Sequence, residues 1–309
     1  MERVRHAESL GYASVYTTHT AARDSTIVLA AYAAGSERIL LGTGVLPIFS
    51  RTPVATAQAA ATVDEMSGGR MVLGLGVSHQ VTVEHWYGAK IERPVAQMRD
   101  YVAKVRAMFC GEDPPGSSYF PTSFHFMGYE PRPDLPIYVA ALSPAMLRLA
   151  GEIGDGVMLW LCNPDYVREV VIPSLTEGRA RAGKSLDGFD VVAAVPAAVT
   201  NDPEQARTRL RSDLIPYFSL PFYRAMLERS GFGEDIAGFD AGMQRGDKEA
   251  AVASISNRFL ETLTAIGSVE DARASVKRYL EAGTTSPCIG GVPGTDFDAT
   301  LEALASLTS

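Results

Sequence analysis

Short apolar runs suited to buried strands alternate along this chain with longer segments suited to helices, and that rhythm limits the fold more than any other feature. Parallel neighbours cannot be joined by a tight turn; they need a crossover of a dozen or more residues, usually a helix. Strand-like runs fall at 12–17, 39–45, 71–75, 137–140, 157–161 and 189–195, with a last short one near Cys288, which makes seven. Helices are predicted over 25–34, opened by Asp24 or Ser25, and over 52–66, where Thr52 and Pro53 form a start and Gly68-Gly69 a stop. Others are predicted over 93–109, 144–153, 165–182, 203–215 and 268–282. Ile39-Leu40-Leu41 and Met71-Val72-Leu73 are apolar on both faces, as strands covered by helices on either side must be. The pattern fits an α/β barrel or a doubly wound sheet. At 309 residues, with no internal repeat or linker, it reads as one domain over 1–309. Two segments break the rhythm: 111–135, rich in Pro, Gly, Ser and aromatics, and 216–266, which holds extra helices without a strand. Insertions of that length usually act as lids or binding loops.

Charge and apolar patterning remove several functional classes. The formal charge is −8 and no run of Lys and Arg opposes it, which argues against a nucleic-acid partner. The longest apolar stretch, 191–199, is interrupted by Pro196 and falls far short of the roughly 20 residues that span a bilayer, so no membrane partner is expected. Residues 1–8 are charged and lack the apolar core of a secretory signal. Cys110, Cys162 and Cys288 match neither a disulfide framework nor a metal knuckle, and a reducing cytoplasm is the expected compartment.

Candidate chemistry gathers after the predicted strands. Gly74-Leu75-Gly76-Val77-Ser78-His79 resembles half of a dinucleotide fingerprint, but it lacks the third glycine, and Glu92 sits at a helix start rather than after a second strand. The two glycines read instead as a place where backbone approaches a ligand, or as a plain tight turn at the strand end. His19 ends the first strand on the carboxyl side, where α/β enzymes place their chemistry; a structural histidine is the alternative. His79 and His85 lie beyond the 71–75 strand, with no carboxylate or Cys at metal spacing, so no metal is expected. Asp64, Glu65 and Glu84 read as solvated or capping groups.

Taken in order, several segments resemble the luciferase-like monooxygenase superfamily, and within it the deazaflavin-dependent oxidoreductases of actinobacteria. They are Ala7-Glu8-Ser9-Leu10-Gly11-Tyr12-Ala13-Ser14-Val15-Tyr16, Glu37-Arg38-Ile39-Leu40-Leu41-Gly42-Thr43-Gly44-Val45, and Ser67-Gly68-Gly69-Arg70-Met71-Val72-Leu73-Gly74-Leu75-Gly76-Val77-Ser78-His79. Pro136-Ile137-Tyr138-Val139-Ala140-Ala141-Leu142-Ser143-Pro144, Gly154-Asp155-Gly156 and the helix over 272–283 complete the set, which covers nearly the whole chain. The resemblance implies a (β/α)8 TIM barrel with insertions, and coenzyme F420 lying across the carboxyl ends of its strands. It implies that Thr43, Gly44 and Val45 form a bulge behind the central ring, often with a non-proline cis peptide. Gly76, Val77 and Ser78 would meet the polar edge of the ring by backbone contact. Ala141, Leu142, Ser143 and Pro144 would meet the phosphate-bearing tail, aided by free amides at a helix N-terminus. His19 would stand beside the reactive ring carbon.

The implied reaction is hydride transfer between F420 and a small organic substrate, with His19 donating or removing the accompanying proton. His79 and Trp86 fall on the substrate side, and Tyr87, Phe120, Phe124 and Phe126 are either a substrate wall or ordinary core and lid packing. Deazaflavin sugar-phosphate dehydrogenases have a glutamate where this chain has His79, and an acidic residue where it has Thr18, so that substrate does not carry over. An FMN-dependent monooxygenase on the same fold and a non-catalytic, vestigial barrel are the rival readings. A homodimer is expected. Family members begin with a strand ahead of the helix that ends in the Ala7 to Tyr12 pattern, whereas Met1 already stands inside that helix. The first barrel strand is therefore expected to be missing, leaving edges at 14–18 and 287–290.

Overall fold

The computed structural model describes residues 1–19 and 21–305. The chain divides into two compact units, the first made of Met1–Ala141, Arg148–Met158 and Glu177–Phe189. It opens with α1 (Glu2–Ser9), β1 (Ser14–Thr17), α2 (Ser25–Ala33), β2 (Leu40–Thr43), β3 (Leu46–Pro47), α3 (Pro53–Ser67) and β4 (Met71–Gly76). Next come α4 (Pro94–Phe109) and β5 (Ile137–Ala140), then α5 (Pro144–Ile153) and β6 (Gly156–Trp160), both of which cross between the units. Every ladder here is parallel, in the order β1, β2, β4, β5, β6, with Ser14 opposite Leu40, Leu41 opposite Met71, Leu73 opposite Ile137 and Tyr138 opposite Gly156. β4 is buried along its whole length, which accounts for its lack of polar alternation.

Local chemistry sets the boundaries. Asp24 caps α2 by accepting from the amides of Thr26 and Ile27, and Thr52 caps α3 through Ala55 with Pro53 in the first turn. Gly68 ends α3 in the left-handed region at φ 67°, the conformation glycine adopts without penalty. Glu8, at the end of α1, accepts the amides of Glu37, Arg38 and Ile39 and so ties this helix to the entry of β2. Burial alone would raise its carboxyl, yet these amides and the Arg38 charge hold it below the ordinary glutamate value.

Asp64 caps backbone rather than standing in solvent. It is buried at the amino end of β4, where it accepts the Met71 amide at 3.1 Å and a two-pronged ion pair from Arg132 at 2.9 and 3.0 Å. Asp64→Asn keeps an acceptor for Met71 but loses the charge, and should lower unfolding free energy by about 1–2 kcal/mol in urea titration. An unchanged midpoint would make the pair ornamental.

The second unit comprises Leu142–Leu147, Leu159–Thr176 and the chain from Asp190 onward. After the short α6 (Pro164–Tyr166) and a π-helical turn at Val167–Val171, α7 (Ile172–Arg181) leads to β7 (Asp190–Val199). α8 (Pro203–Phe218), α9 (Pro221–Arg229), α10 (Gly233–Gln244), α11 (Lys248–Ala253) and α12 (Asn257–Leu263) follow, then β8 (Ala265–Gly267), α13 (Val269–Glu281), β9 (Ser286–Gly291) and α14 (Phe297–Leu304). β7 pairs in parallel with β9 along 192–197 and with β8 along 197–199. Phe218, Phe232, Phe239 and Phe259 form the aromatic core of the inserted helices.

All seven expected strands form, and two more do as well. β3 and β8, of two and three residues, are too short to show any periodicity, and β8 begins inside the segment read as strandless. The helix expected over 165–182 is broken by the π turn, and α8 continues through Pro216 to Phe218. Among the described residues β1 pairs with β2 and β9 with β7; β1 is half-exposed at all four positions, and β9 is half-exposed becoming exposed, as edge strands are. No described helix is long and apolar enough to cross a membrane.

Candidate active site

The carboxyl ends of β1, β2 and β4 meet through glycines. A Cβ on Gly74 would stand 2.0 Å from the Thr43 carbonyl oxygen, and one on Gly76 would stand 2.5 Å from Val45 Cγ2. Gly42 and Gly44 likewise leave room for Tyr16, with would-be contacts of 2.3 and 3.0 Å. Gly74 and Gly76 are therefore neither a nucleotide fingerprint nor a tight turn: they lie inside β4 and let the end of β2 press onto it. Thr43 is buried, its hydroxyl donates to the Gly74 carbonyl at 2.7 Å, and the Gly44 amide donates to the Thr17 carbonyl at 2.8 Å. The Gly44–Val45 peptide is cis.

Beyond β4 the backbone turns sharply, with Ser78 at φ 61°, a region that residues other than glycine seldom enter. Among the described residues the amides of Val77 and Ser78 donate to no backbone or side-chain acceptor. Next to this ledge, His19 lies two residues past Thr17, which pairs with Thr43. Its Nδ1 is 3.1 Å from both the amide nitrogen and the hydroxyl of the buried Ser25. Asp24, one residue earlier, is ion-paired to Arg51. Thr43, Gly44, Val45, Gly76, Val77, Ser78 and His19 thus share one end of the first unit.

The family profile of luciferase-like monooxygenases matches residues 1–286. The chain belongs to the luciferase-like monooxygenase family. It is 30% identical to a 5,10-methylenetetrahydromethanopterin reductase of Archaeoglobus fulgidus over 97% of this chain and 92% of that one. A putative coenzyme F420-dependent oxidoreductase of Mycobacterium tuberculosis is 28% identical over 92% and 88% of the two chains. The solved coenzyme F420-dependent tetrahydromethanopterin reductase of Methanopyrus kandleri superposes with a TM-score of 0.84 at 24% identity, covering 98% of this chain and 92% of that one. The α/β architecture is accordingly that of the luciferase-like TIM barrel.

Against that family pattern, the expected tail contacts are placed as follows. Ala141 closes the first unit, buried, with its amide on the Met158 carbonyl. Leu142, Ser143 and Pro144 belong to the second unit. There the Leu142 carbonyl accepts from the Tyr166 hydroxyl, and the Met146 amide is already taken by the Ser143 hydroxyl. Pro144 has no amide proton, so this helix start offers fewer donors than expected. His79 is half-buried just past the ledge, while Trp86 and His85 are exposed in a π-helical turn over Thr82–Trp86. The aromatics do not form one wall. Phe120 packs on Phe49 and Tyr101, anchoring the 111–135 loop. Phe124 and Phe126 stack toward Tyr129, beside Asp64 and Arg132 at the amino end of β4. Among the described residues no three His, Cys, Asp or Glu side chains form a metal-binding group.

Sequence reasoning missed Tyr16, Ser25 and Arg51. Glycines two apart in adjoining strands, Gly42/Gly44 and Gly74/Gly76, are the signal that a large side chain and a neighbouring backbone lie close on one face.

Burial lowers both histidines: His19, where Arg51 adds to the effect and Asp24 opposes it, and His79, where burial is the cause. An unfolded histidine takes up its proton near pH 6.5 while these two resist it, so acid favours the unfolded chain. Stability should be full above pH 6.5 and fall as the pH drops below it. Melting temperatures of His19→Asn and His79→Asn that keep the wild-type acid slope would overturn this assignment.

Proposed function

We propose that this protein is an F420-dependent oxidoreductase that moves a hydride between the coenzyme and a small organic substrate, with His19 managing the accompanying charge. The observation that carries the reading is the ledge beside His19: a bulge at Thr43-Gly44-Val45 pressed onto Gly74 and Gly76, with the unengaged amides of Val77 and Ser78 at its rim. A flat ring with an apolar face and a polar edge fits such a ledge, the face on Val45 and the edge on the two amides. Bound F420 would supply two-electron hydride chemistry. The chain's own part is to hold the ring, exclude water from its face and place the His19 imidazole where charge develops. Leu142, Ser143 and Pro144 are proposed to meet the tail, and His79 and Trp86 the substrate. The reading includes a homodimer working in a reducing cytoplasm, where the free Cys110, Cys162 and Cys288 stay reduced.

Anaerobic titration of the purified protein with F420 and with FMN, followed by fluorescence, tests the coenzyme. F420 should bind at least about tenfold tighter, a preference worth about 1.4 kcal/mol. The opposite order, with oxygen uptake, would favour a flavin monooxygenase; binding of neither would favour a vestigial barrel.

A further inference from the structure

The His19 ring is held by a group whose role in hydrogen bonding has only one sense. A backbone N–H can donate and cannot accept, and the Ser25 amide points at Nδ1 of His19 from 3.1 Å. Nδ1 must therefore present its lone pair, and the single proton of the neutral ring sits on Nε2. The Ser25 hydroxyl, also at 3.1 Å, has a rotatable hydrogen and donates to the same lone pair. Protonating Nδ1 would set an N–H against an N–H at the positive end of α2, where Ser25 is the first helical residue.

The charged neighbours do not undo this. Among the described residues Asp24 is the carboxylate that favours an imidazolium, but it is committed to the Thr26 and Ile27 amides, the Thr26 hydroxyl and Arg51, and Arg51 itself opposes a second cation. Thr17, on β1, is uncharged and donates its hydroxyl to the Ser25 carbonyl at 3.4 Å, which holds the start of α2 against the strand.

We propose that Ser25 is a positioning residue that locks His19 as a neutral imidazole donating from Nε2, so that His19 acts as a hydrogen-bond donor to a substrate oxygen and not as a base. The inference deepens the reading above and rests on it, because the donor needs a hydride-accepting carbon whose oxygen gains charge. The substrate class is then a carbonyl compound reduced to an alcohol, or that alcohol in reverse. In the reduction the carbonyl carbon gains the hydride, the π pair moves to oxygen, and Nε2–H stabilises the oxyanion. With a reduced deazaflavin as donor, the proton released on its oxidation returns through solvent to complete the alcohol, so atoms and electrons balance. His19 begins and ends neutral.

The tautomer is read without coenzyme, by nitrogen-15 NMR of histidine-labelled full chain, assigned by the loss of one ring signal in His19→Gln. Nδ1 should be unprotonated and Nε2 protonated through neutral pH. A protonated Nδ1, or an imidazolium populated at pH 7, overturns the proposal whatever the coenzyme does. Ser25→Ala keeps the amide but loses the hydroxyl, and should raise the His19 titration midpoint and lower kcat about fivefold with coenzyme Kd unchanged. No movement in either would remove Ser25 from the argument. In the F420-loaded enzyme, His19→Gln keeps a neutral donor and should turn over at least about tenfold faster than His19→Ala, without a histidine step in its pH profile. Equal loss in the two variants overturns the donor role. Failure of F420 to bind at all, with the tautomer as stated, would instead count against the underlying function.

Discussion

His19→Ala should lower turnover with F420 by at least about a hundredfold while leaving coenzyme affinity within about twofold, since removing one placed donor to a developing oxyanion typically costs about 10² to 10³ in rate. The expectation rests on the separation of tasks at this end of the first unit. The proposed ring ledge is built from backbone and small residues, Thr43 to Val45 over Gly74 and Gly76, and none of those contacts passes through the imidazole. His19 is held by Ser25 at the start of α2. Removing the ring therefore leaves the ledge intact and, on the proposed reading, deletes only the group placed beside the reacting atoms. Coenzyme affinity and steady-state rates measured on the same preparation separate the two. Equal losses in Kd and kcat would make His19 part of the coenzyme cradle and would remove it from the chemistry.

How far this was legible in sequence depends on the length scale of each feature. β4 could be read because six consecutive residues are buried and the run ends in glycine. α3 could be read because Thr52-Pro53 and Gly68 leave little choice about where a helix starts and stops. β3 and β8 could not, because two or three residues carry no period and their pairing is decided by Leu75, Gly76 and β7, which are distant in the chain. The same holds for the site. His19 and the run from Gly74 to Ser78 could be proposed from local signals, a histidine or glycines at a strand end, whereas Gly44 and Val45 were proposed only through the family resemblance. Asp64 takes the capping role of its two readings, on the Met71 amide, but its ion pair was not legible because its partner, Arg132, lies far along the chain in a loop without regular structure. Asp24 and Ser25 both read as caps for α2; the cap is Asp24, which leaves the Ser25 amide and hydroxyl for Nδ1. The spread of Phe120, Phe124 and Phe126 over two places follows from the course of the 111–135 loop, which no periodicity encodes.

Gly74→Ala should be among the most damaging single methyls that could be added to the described residues. The new Cβ would stand 2.0 Å from the Thr43 carbonyl oxygen, 3.2 Å from its carbon and 2.6 Å from Met158 Sδ. A methionine end can swing away, but the Thr43 carbonyl is backbone in a ladder: Thr43 pairs with Thr17, its hydroxyl is bound to the Gly74 carbonyl, and the next amide donates to Thr17. Relief requires β2 and β4 to part at the point where both are buried, so the cost belongs with the largest single substitutions, on the order of 4 kcal/mol. For a chain of this size that is a drop in melting temperature of about 6 °C. The movement also lifts Gly44 and Val45, so F420 binding should weaken by at least about tenfold in whatever folded protein is recovered. Gly116→Ala is the matched control, because a Cβ there meets nothing within 4 Å and the backbone is not in the left-handed region; it should change stability by less than about 0.5 kcal/mol. If both variants melt with the wild type, the close approach of β2 to Gly74 is not rigid, and the ledge that carries the functional reading loses its physical basis.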